Sequence, residues 1–539
     1  MIKESALYDK KALTLKIIKS KLMEKLLTTS VSTFKDIIEY NYLYVDKTEY
    51  IYNLVSNPKG IYFLSRPRRF GKSLTLSTFR SIFSGEKELF KGLYIYDKPF
   101  DWKKYPIIHL SLNKIRVSTE KELEKKLCYL IEDAAELYDI NLKRDDSSSL
   151  FDELIIKLSK KSKIVILIDE YDKPLLDNVN NNTERKAIKE TLKGLYSVIK
   201  ANEEFLRFVF LTGVSKFSKV SVFSELNNLD DLSMNNKFGT ALGFTQDEVD
   251  KYFGESIKEI ALKQGKNHEN LRQTLKELYN GYRFSKKSET VYNPVSITKF
   301  VQNEELEHYW FETGTPSFLL ELMKENKYNL MNLEGLKLNS AAFSTYEVEN
   351  LRVEPLLFQT GYLTIKGYSE KYDEYLLSYP NMEVKSAFLN YLSDYYTPLR
   401  KEETPQYNNE LIRAILKNDT AKFIEILKIF FANIEYDLHI DNEKYYQTIF
   451  YLVFTLLGVK IQAEVKTNTD RIDAVIETDT HTYIFEFKLF DTSQNALKQI
   501  KDKKYFEKYL LNKKQIVLIG VGFDKETRNI KDDYIVEKT

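Results

Sequence analysis

The segment Ile61 to Phe83, IYFLSRPRRFGKSLTLSTFRSIF, joins an apolar run to a helical pattern through Gly71, Lys72 and Ser73. A buried strand that ends in such a turn can curl its backbone N–H groups around a phosphate, while the next helix directs its positive end at the same anion. In that reading Lys72 neutralises β- and γ-phosphate charge and the Ser73 hydroxyl holds Mg²⁺. Arg66 stands where the phosphate-loop pattern has its first glycine, so the strict motif is not met. Taken alone, Gly-Lys-Ser reads more often as an ordinary strand-to-helix turn.

A second segment changes that balance. Lys163 to Asp172 reads KIVILIDEYD, a continuous apolar run of the kind a parallel strand buried on both faces produces, ending in Asp169 and Glu170. An acidic pair at a strand tip fits nucleoside triphosphate hydrolysis, with Asp169 on the Mg²⁺ water shell and Glu170 polarising the attacking water. Either segment alone is compatible with plain core structure; together they point to an ATP site. Between and after them strand and helix patterns alternate. Strands are expected at 90–96, 106–112 and 206–213, and helices at 119–138, 150–160 and 183–202. Such βα alternation implies a parallel sheet with helices on both faces, and ligands bind at the carboxyl ends of its strands. Thr212, at one of those ends, is a candidate for the γ-phosphate or the attacking water, and equally a turn threonine.

Length and composition set the limits. A chain of 539 residues is too long for one hydrophobic core, and 43% hydrophobic residues suffice to build several. Lys+Arg of 80 against Asp+Glu of 79 leaves a net charge of +1, so no global field recruits nucleic acid and any such contact is local. The single cysteine, Cys128, excludes an intramolecular disulfide and a multi-cysteine zinc site. Lysines interrupt the N-terminal apolar residues and no apolar run is long enough to span a bilayer, so a cytoplasmic protein without membrane contact is expected.

Residues 1 to about 30 have helical spacing. Beyond about residue 240 the pattern becomes helical, opening at Thr245 with Glu248 three residues on, a capping-box signature. Asn280-Gly281 and Asn293-Pro294 mark turns, and 356–365 with 374–379 read as a hairpin. Helices followed by a hairpin suit a winged-helix module, which binds DNA or serves as a protein-contact piece. Two helices over 408–434 and a third over 443–457 precede strands at 460–466, 471–477 and 482–489. A polar helix to about Leu511 follows, and a buried strand at 516–521 closes the chain.

Within that last block Glu486 and Lys488 are two apart on the strand TYIFEFKL and share a face, and a hairpin would bring Asp473 alongside. Two carboxylates converging on one point make an Mg²⁺ site, and an adjacent ammonium can orient or deprotonate water. That is the layout of a metal-dependent phosphodiesterase. Gln499 on the following helix would orient the water or contact the backbone. Most Glu-x-Lys pairs, by contrast, are a solvated face.

The runs Tyr44-Val45-Asp46-Lys47-Thr48, Arg66-Pro67-Arg68-Arg69-Phe70-Gly71-Lys72-Ser73 and Asp169-Glu170-Tyr171-Asp172 resemble the bacterial and archaeal AAA-ATPase-like proteins. Gly281-Tyr282-Arg283-Phe284 and Tyr292-Asn293-Pro294 fit the same family. Arg471-Ile472-Asp473, Glu486-Phe487-Lys488, Gln499 and Tyr505 resemble its C-terminal PD-(D/E)XK nuclease-superfamily domain, with Asp470 departing from a frequent glycine. The resemblance implies that Arg66, Arg69 and Phe70 belong to the nucleotide-binding run. It also implies a setting among mobile or defence-related genes.

The expected architecture is therefore α/β. It comprises an N-terminal helical extension (1–30), a P-loop NTPase domain with a parallel sheet (31–240), a helical and winged-helix-like region (241–400) and a restriction-endonuclease-like domain (401–539). The expected function is ATP hydrolysis coupled to a Mg²⁺-dependent DNA nuclease. ATP and Mg²⁺ are the expected cofactors, and DNA and further copies of the chain the expected partners. The alternative is an ATP-regulated DNA- or protein-binding signalling factor with an inactive nuclease fold. Arg185 and Arg207 are arginine-finger candidates by position.

Overall fold

The computed structural model describes residues 25–216, 226, 228–310, 317–325, 328, 333–344, 352–396, 404–432, 452–456, 462–468, 471–489, 491–512, 514–524 and 529–538. Of the helix expected over 1–30, residues 1–24 lie outside these and residues 25–30 are not helical, because Leu26 pairs its backbone with Asn41 and Leu43 in a bridge to Tyr42; most of the helix expected over 443–457 also lies outside. The chain forms two compact units, one drawn from Met1–Asn326 and Gly335–Asn381, the other from Lys327–Glu334 and Met382–Thr539. The main division thus falls at Asn381, ahead of the expected 400, because the helix Met382–Tyr396 packs with the C-terminal part.

The first unit is built on strands β1 (Gly60–Ser65), β2 (Ile107–Ser111), β3 (Ile164–Asp169), β4 (Leu206–Gly213) and the two-residue β5 (Asp230–Asp231), in spatial order β2-β3-β4-β1-β5 and all parallel. Every residue of β3 is buried, as a strand covered on both faces requires. Covering helices are α1 (Lys72–Phe83), α2 (Glu120–Glu136), α3 (Ser147–Ser159) and α4 (Asn182–Ala201). Thr119, Asp146 and Asn181 cap the last three by accepting the N–H three residues on. Helix α1 buries Leu76, Phe79, Ile82 and Phe83, and the Phe79 ring packs on Phe208 and Phe210 of β4, fixing the helix over the sheet.

The segment 90–96 is not a strand. It forms two short 3-10 turns around Gly92, because its donors are taken from outside any ladder: Asp46 Oδ2 accepts from Tyr94 N (2.8 Å) and Thr48 Oγ1 from Ile95 N (3.1 Å).

Helices α5 (Gln246–Lys263), α6 (His268–Tyr279) and α7 (Pro294–Asn303) follow, and Thr245 with Glu248 makes the full capping box. These three share a core of Val249, Phe253, Ile257, Leu271, Leu275 and Phe300, into which Val45 also packs. A three-stranded antiparallel sheet comes next, ordered β6 (Leu336–Asn339), β8 (Glu374–Ser378), β7 (Thr364–Ser369). The hairpin is present but its first strand starts late. Val353–Thr360 is a helix, α8, ended by Gly361 at φ 91°, since a short apolar run fits a buried helix as well as a strand.

The second unit packs helices α9 (Thr404–Leu416) and α10 (Thr420–Ala432) on a five-stranded sheet. Strands β9 (Gln462–Asn468), β10 (Arg471–Glu477) and β11 (His481–Leu489) form an antiparallel meander. Helix α11 (Ser493–Asp502) crosses to β12 (Gln515–Phe523), which runs parallel to β11. Helix α11 stops well before Leu511, where Lys504 takes φ 52°, and β12 does not close the chain: β13 (Ile535–Lys538) pairs antiparallel with it. Among the described residues no helix is long and apolar enough to cross a membrane.

Candidate nucleotide and nuclease sites

The carboxyl ends of β1, β3 and β4 come into register. Leu64 lies beside Thr212 and Ser65 beside Gly213. Between β1 and α1 the loop alternates hand, with Arg69 at φ 67° and Gly71 at φ 92°. Such alternation turns successive N–H groups toward one point and builds an anion nest. Lys72 is 7% exposed, and its Nζ donates to Arg66 O (3.0 Å) and Pro67 O (2.9 Å), so the ammonium folds back over the loop it follows. Burial pushes its pKa down, opposed by the charges of Glu170, Asp169 and Asp172.

Ser73 Oγ donates to Asp169 Oδ2 at 2.7 Å. The other carboxylate oxygen, Asp169 Oδ1, is buried with no hydrogen-bond partner among the described residues. A hydroxyl and a buried carboxylate with an open lone pair beside an anion nest are the hard oxygen donors that Mg²⁺ and its water shell take, so the residues fit a Mg²⁺–triphosphate. Glu170 follows at φ 52°, a left-handed conformation that costs a non-glycine residue energy and recurs at functional sites. Burial raises its pKa, against the pull of Lys72.

These groups open into one groove of about 670 Å³, lined by Arg68 through Thr75, Asn113, Glu170 and Lys173 on the phosphate side. Farther along it are Thr28–Ser32, Tyr44, Val45, Phe244, Val295 and Thr298, none of which sequence reasoning singled out for binding. The only signal lay in the Tyr44–Thr48 and Tyr292–Pro294 runs. Asn293 caps α7 through Val295 N (2.9 Å) and Ser296 N (3.2 Å), while Lys47 Nζ bonds Glu248 Oε2 at 2.7 Å and so ties the first run to the start of α5.

Three residues expected to bind nucleotide are engaged within the protein. Arg66 is 1% exposed, donates to Ser65 O, Ser233 O (2.7 Å) and Phe238 O (2.8 Å), and lies over the Phe284 ring at 4.3 Å. It holds the start of the loop in shape. Thr212 is fully buried and its Oγ1 donates to Leu64 O at 2.7 Å, tying β4 to β1. Phe70 is buried as well and meets Tyr282 and Phe284 edge-on, with centroids 4.9 and 5.3 Å away. Neither finger candidate reaches the groove. Arg207 sits at the opposite end of β4, bonded to Val55 O and Asn57 O, and buried Arg185 bonds Val179 O. Asp172 is 1% exposed and accepts from Val214 N, Ser215 N and Ser215 Oγ, so it anchors the loop after β4.

In the second unit the β10–β11 ladder sets position 473 directly opposite Glu486 and position 471 opposite Lys488. Opposed positions of an antiparallel pair lie on one face of the sheet. Glu486 is fully buried and accepts a hydrogen bond from Gln499 Nε2 on α11, which joins helix to strand at this point. Lys488 is two residues on, at the partly exposed end of β11. Two acidic positions supply the hard oxygen donors that suit a divalent cation keeping several waters, with the lysine beside them as a cation and not a ligand. No group of three or more His, Cys, Asp or Glu placed to hold a metal ion together occurs among the described residues.

The family model described as "Predicted AAA-ATPase" matches residues 28–223, and that of the PD-(D/E)XK nuclease superfamily matches residues 441–533. An "Uncharacterized protein in vnfD 5'region" of Azotobacter chroococcum mcd 1 is 36% identical over 523 residues, 94% of this chain and 98% of that one. Among solved structures, the ORC2 protein of Aeropyrum pernix in its ADPNP–ADP complexes aligns at 10% identity over 67% of this chain and 93% of that chain, with a TM-score of 0.18, too low to bear on the fold. The chain belongs to the AAA-ATPase-like family and carries a PD-(D/E)XK nuclease-superfamily domain toward its C-terminus.

Proposed function

We propose that the protein is a cytoplasmic ATPase that controls a Mg²⁺-dependent DNA nuclease on the same chain, in a mobile-element or defence setting. What supports the first half is the Ser73–Asp169 pair with its open, buried Oδ1 beside the Arg69–Gly71 nest. The nest and Lys72 bind the triphosphate, Ser73 and Asp169 hold its cation, and Glu170 orients the attacking water. The second half rests on buried Glu486, held by Gln499, at the register position facing Asp473. Asp473 and Glu486 hold the cation there, Lys488 lies where the attacking water is placed, and Gln499 orients Glu486. Mg²⁺ supplies electrophilic stabilisation of phosphate charge at both sites.

The test is cleavage of linear, circular and single-stranded DNA by the full chain with Mg²⁺ or Mn²⁺, with and without ATP. Metal-dependent cutting that ATP changes is the expected result. A chain that binds ATP and DNA but cuts nothing under any of these conditions is a binding factor instead.

A further inference from the structure

The run Arg66-Pro67-Arg68-Arg69 carries three arginines, of which Arg66 is buried while Arg68 and Arg69 are both exposed along the groove. Arg66 is consumed by backbone carbonyls inside the protein. Arg68 is exposed, lines the groove beside Lys72 and Glu170, and its guanidinium has no hydrogen-bond or ion-pair partner among the described residues. Its main chain is nevertheless fixed, since Trp310 Nε1 donates to Arg68 O at 3.3 Å and Pro67 precedes it with its carbonyl accepting from Lys72 Nζ. The loop therefore presents an uncommitted guanidinium from a rigid base at the rim of the anion nest.

From this placement we infer that Arg68 is an arginine finger supplied in cis, donating to the γ-phosphoryl oxygens as the bond to the β-phosphate breaks. The inference rests on the ATPase reading above and adds a catalytic residue to it. Phosphoryl transfer spreads negative charge over the equatorial oxygens in the transition state, and a guanidinium fork matches that geometry where a lone ammonium does not. Lys72 already covers the ground-state phosphates, so a second cation poised beside the water-orienting carboxylate serves the charge that develops later. Burial is the largest influence on the pKa of Lys72 and of Glu170 and the positive charge of Arg68 a weak one, lowering both, in keeping with its place on the same groove. In the reaction the water oxygen bonds phosphorus, the bridging oxygen leaves with ADP, and the water's proton passes toward Glu170 or the phosphate product; Arg68 exchanges no atoms.

The experiment compares the full-length parent with Arg68→Ala and Arg68→Lys by ATP binding, steady-state phosphate release and trapping of ADP–tetrafluoroaluminate. Arg68→Ala is expected to keep ATP binding, lose about a thousand-fold in turnover, and fail to trap the transition-state analogue. Arg68→Lys is expected to recover only part of the rate. Retained ATP binding also reports that the variant is folded. Phosphate release at the parent rate overturns the assignment, and so does loss of ATP binding in a folded variant, which would make Arg68 a ground-state ligand. A parent that binds ATP yet never hydrolyses it would instead overturn the ATPase reading, and the finger with it.

Discussion

Lys72 and Glu170 divide affinity from chemistry. Lys72→Ala removes the buried ammonium behind the nest and should abolish ATP binding by calorimetry; binding at parental strength would unseat the site. Glu170→Gln keeps size and polarity but not the acceptor charge, so it should retain ATP and lose phosphate release by about a hundred-fold or more. Asp172 gives a different readout. Burial raises its carboxyl pKa despite three donors, so the folded state holds that proton more tightly than the unfolded chain. Its contribution is therefore most favourable in acid and declines as pH rises from the ordinary carboxylate range through the raised value. Denaturant titrations should show parent stability, relative to Asp172→Asn, falling with pH across that window. A difference that stays flat or grows with pH would contradict it. At this scale the letters point to which residues gather at the strand ends but not to how each side chain is engaged. Gly71-Lys72-Ser73 and Asp169-Glu170 were readable, whereas Arg66 and Arg68 look alike in sequence. Only partners 167 and 172 residues away, Ser233 and Phe238, bury one of them.

The loop is an element with an external support. Phe70 is gripped by Tyr282 and Phe284 and Arg66 by Phe284, and Arg283 N donates to Thr364 Oγ1 on β7. Gly281 makes this possible: it takes φ 108°, and a Cβ there would lie 2.0 Å from Pro380 O. Phe284, 4% exposed, packs on both loop residues, so Phe284→Ala should cost about 3–5 kcal/mol of stability and also weaken ATP binding. Thermal denaturation with and without ATP checks this; a loss of stability with ATP affinity intact would detach the support from the site. Periodicity could show strands and caps here, including the Thr245 capping box and the β10–β11 hairpin. It could not show that 353–360 is helical or that 90–96 lacks a ladder, because partners distant in sequence decide both.

For the whole molecule the issue is whether the two units act as one machine. A sheet that places an acidic position opposite buried Glu486, with Lys488 two residues on, would repel a phosphate backbone unless a divalent ion neutralised it. Chelation should therefore stop DNA cutting and ATP turnover together. Separate substitutions should then divide them. Lys488→Ala should abolish cleavage while leaving ATP turnover and Mn²⁺ binding near parental, whereas Glu486→Gln should lose metal binding as well. Lys72→Ala should leave the nuclease at the rate the parent shows without ATP, since its own metal site is untouched and only the control is gone. The decisive comparison is Lys72→Ala against the parent, each with and without ATP, on one DNA substrate. If ATP shifts cutting by the parent and not by the mutant, nucleotide occupancy of the first unit governs the second. Were the mutant still to respond to ATP like the parent, or the parent to cut at one rate throughout, the two activities would be independent tenants of one chain.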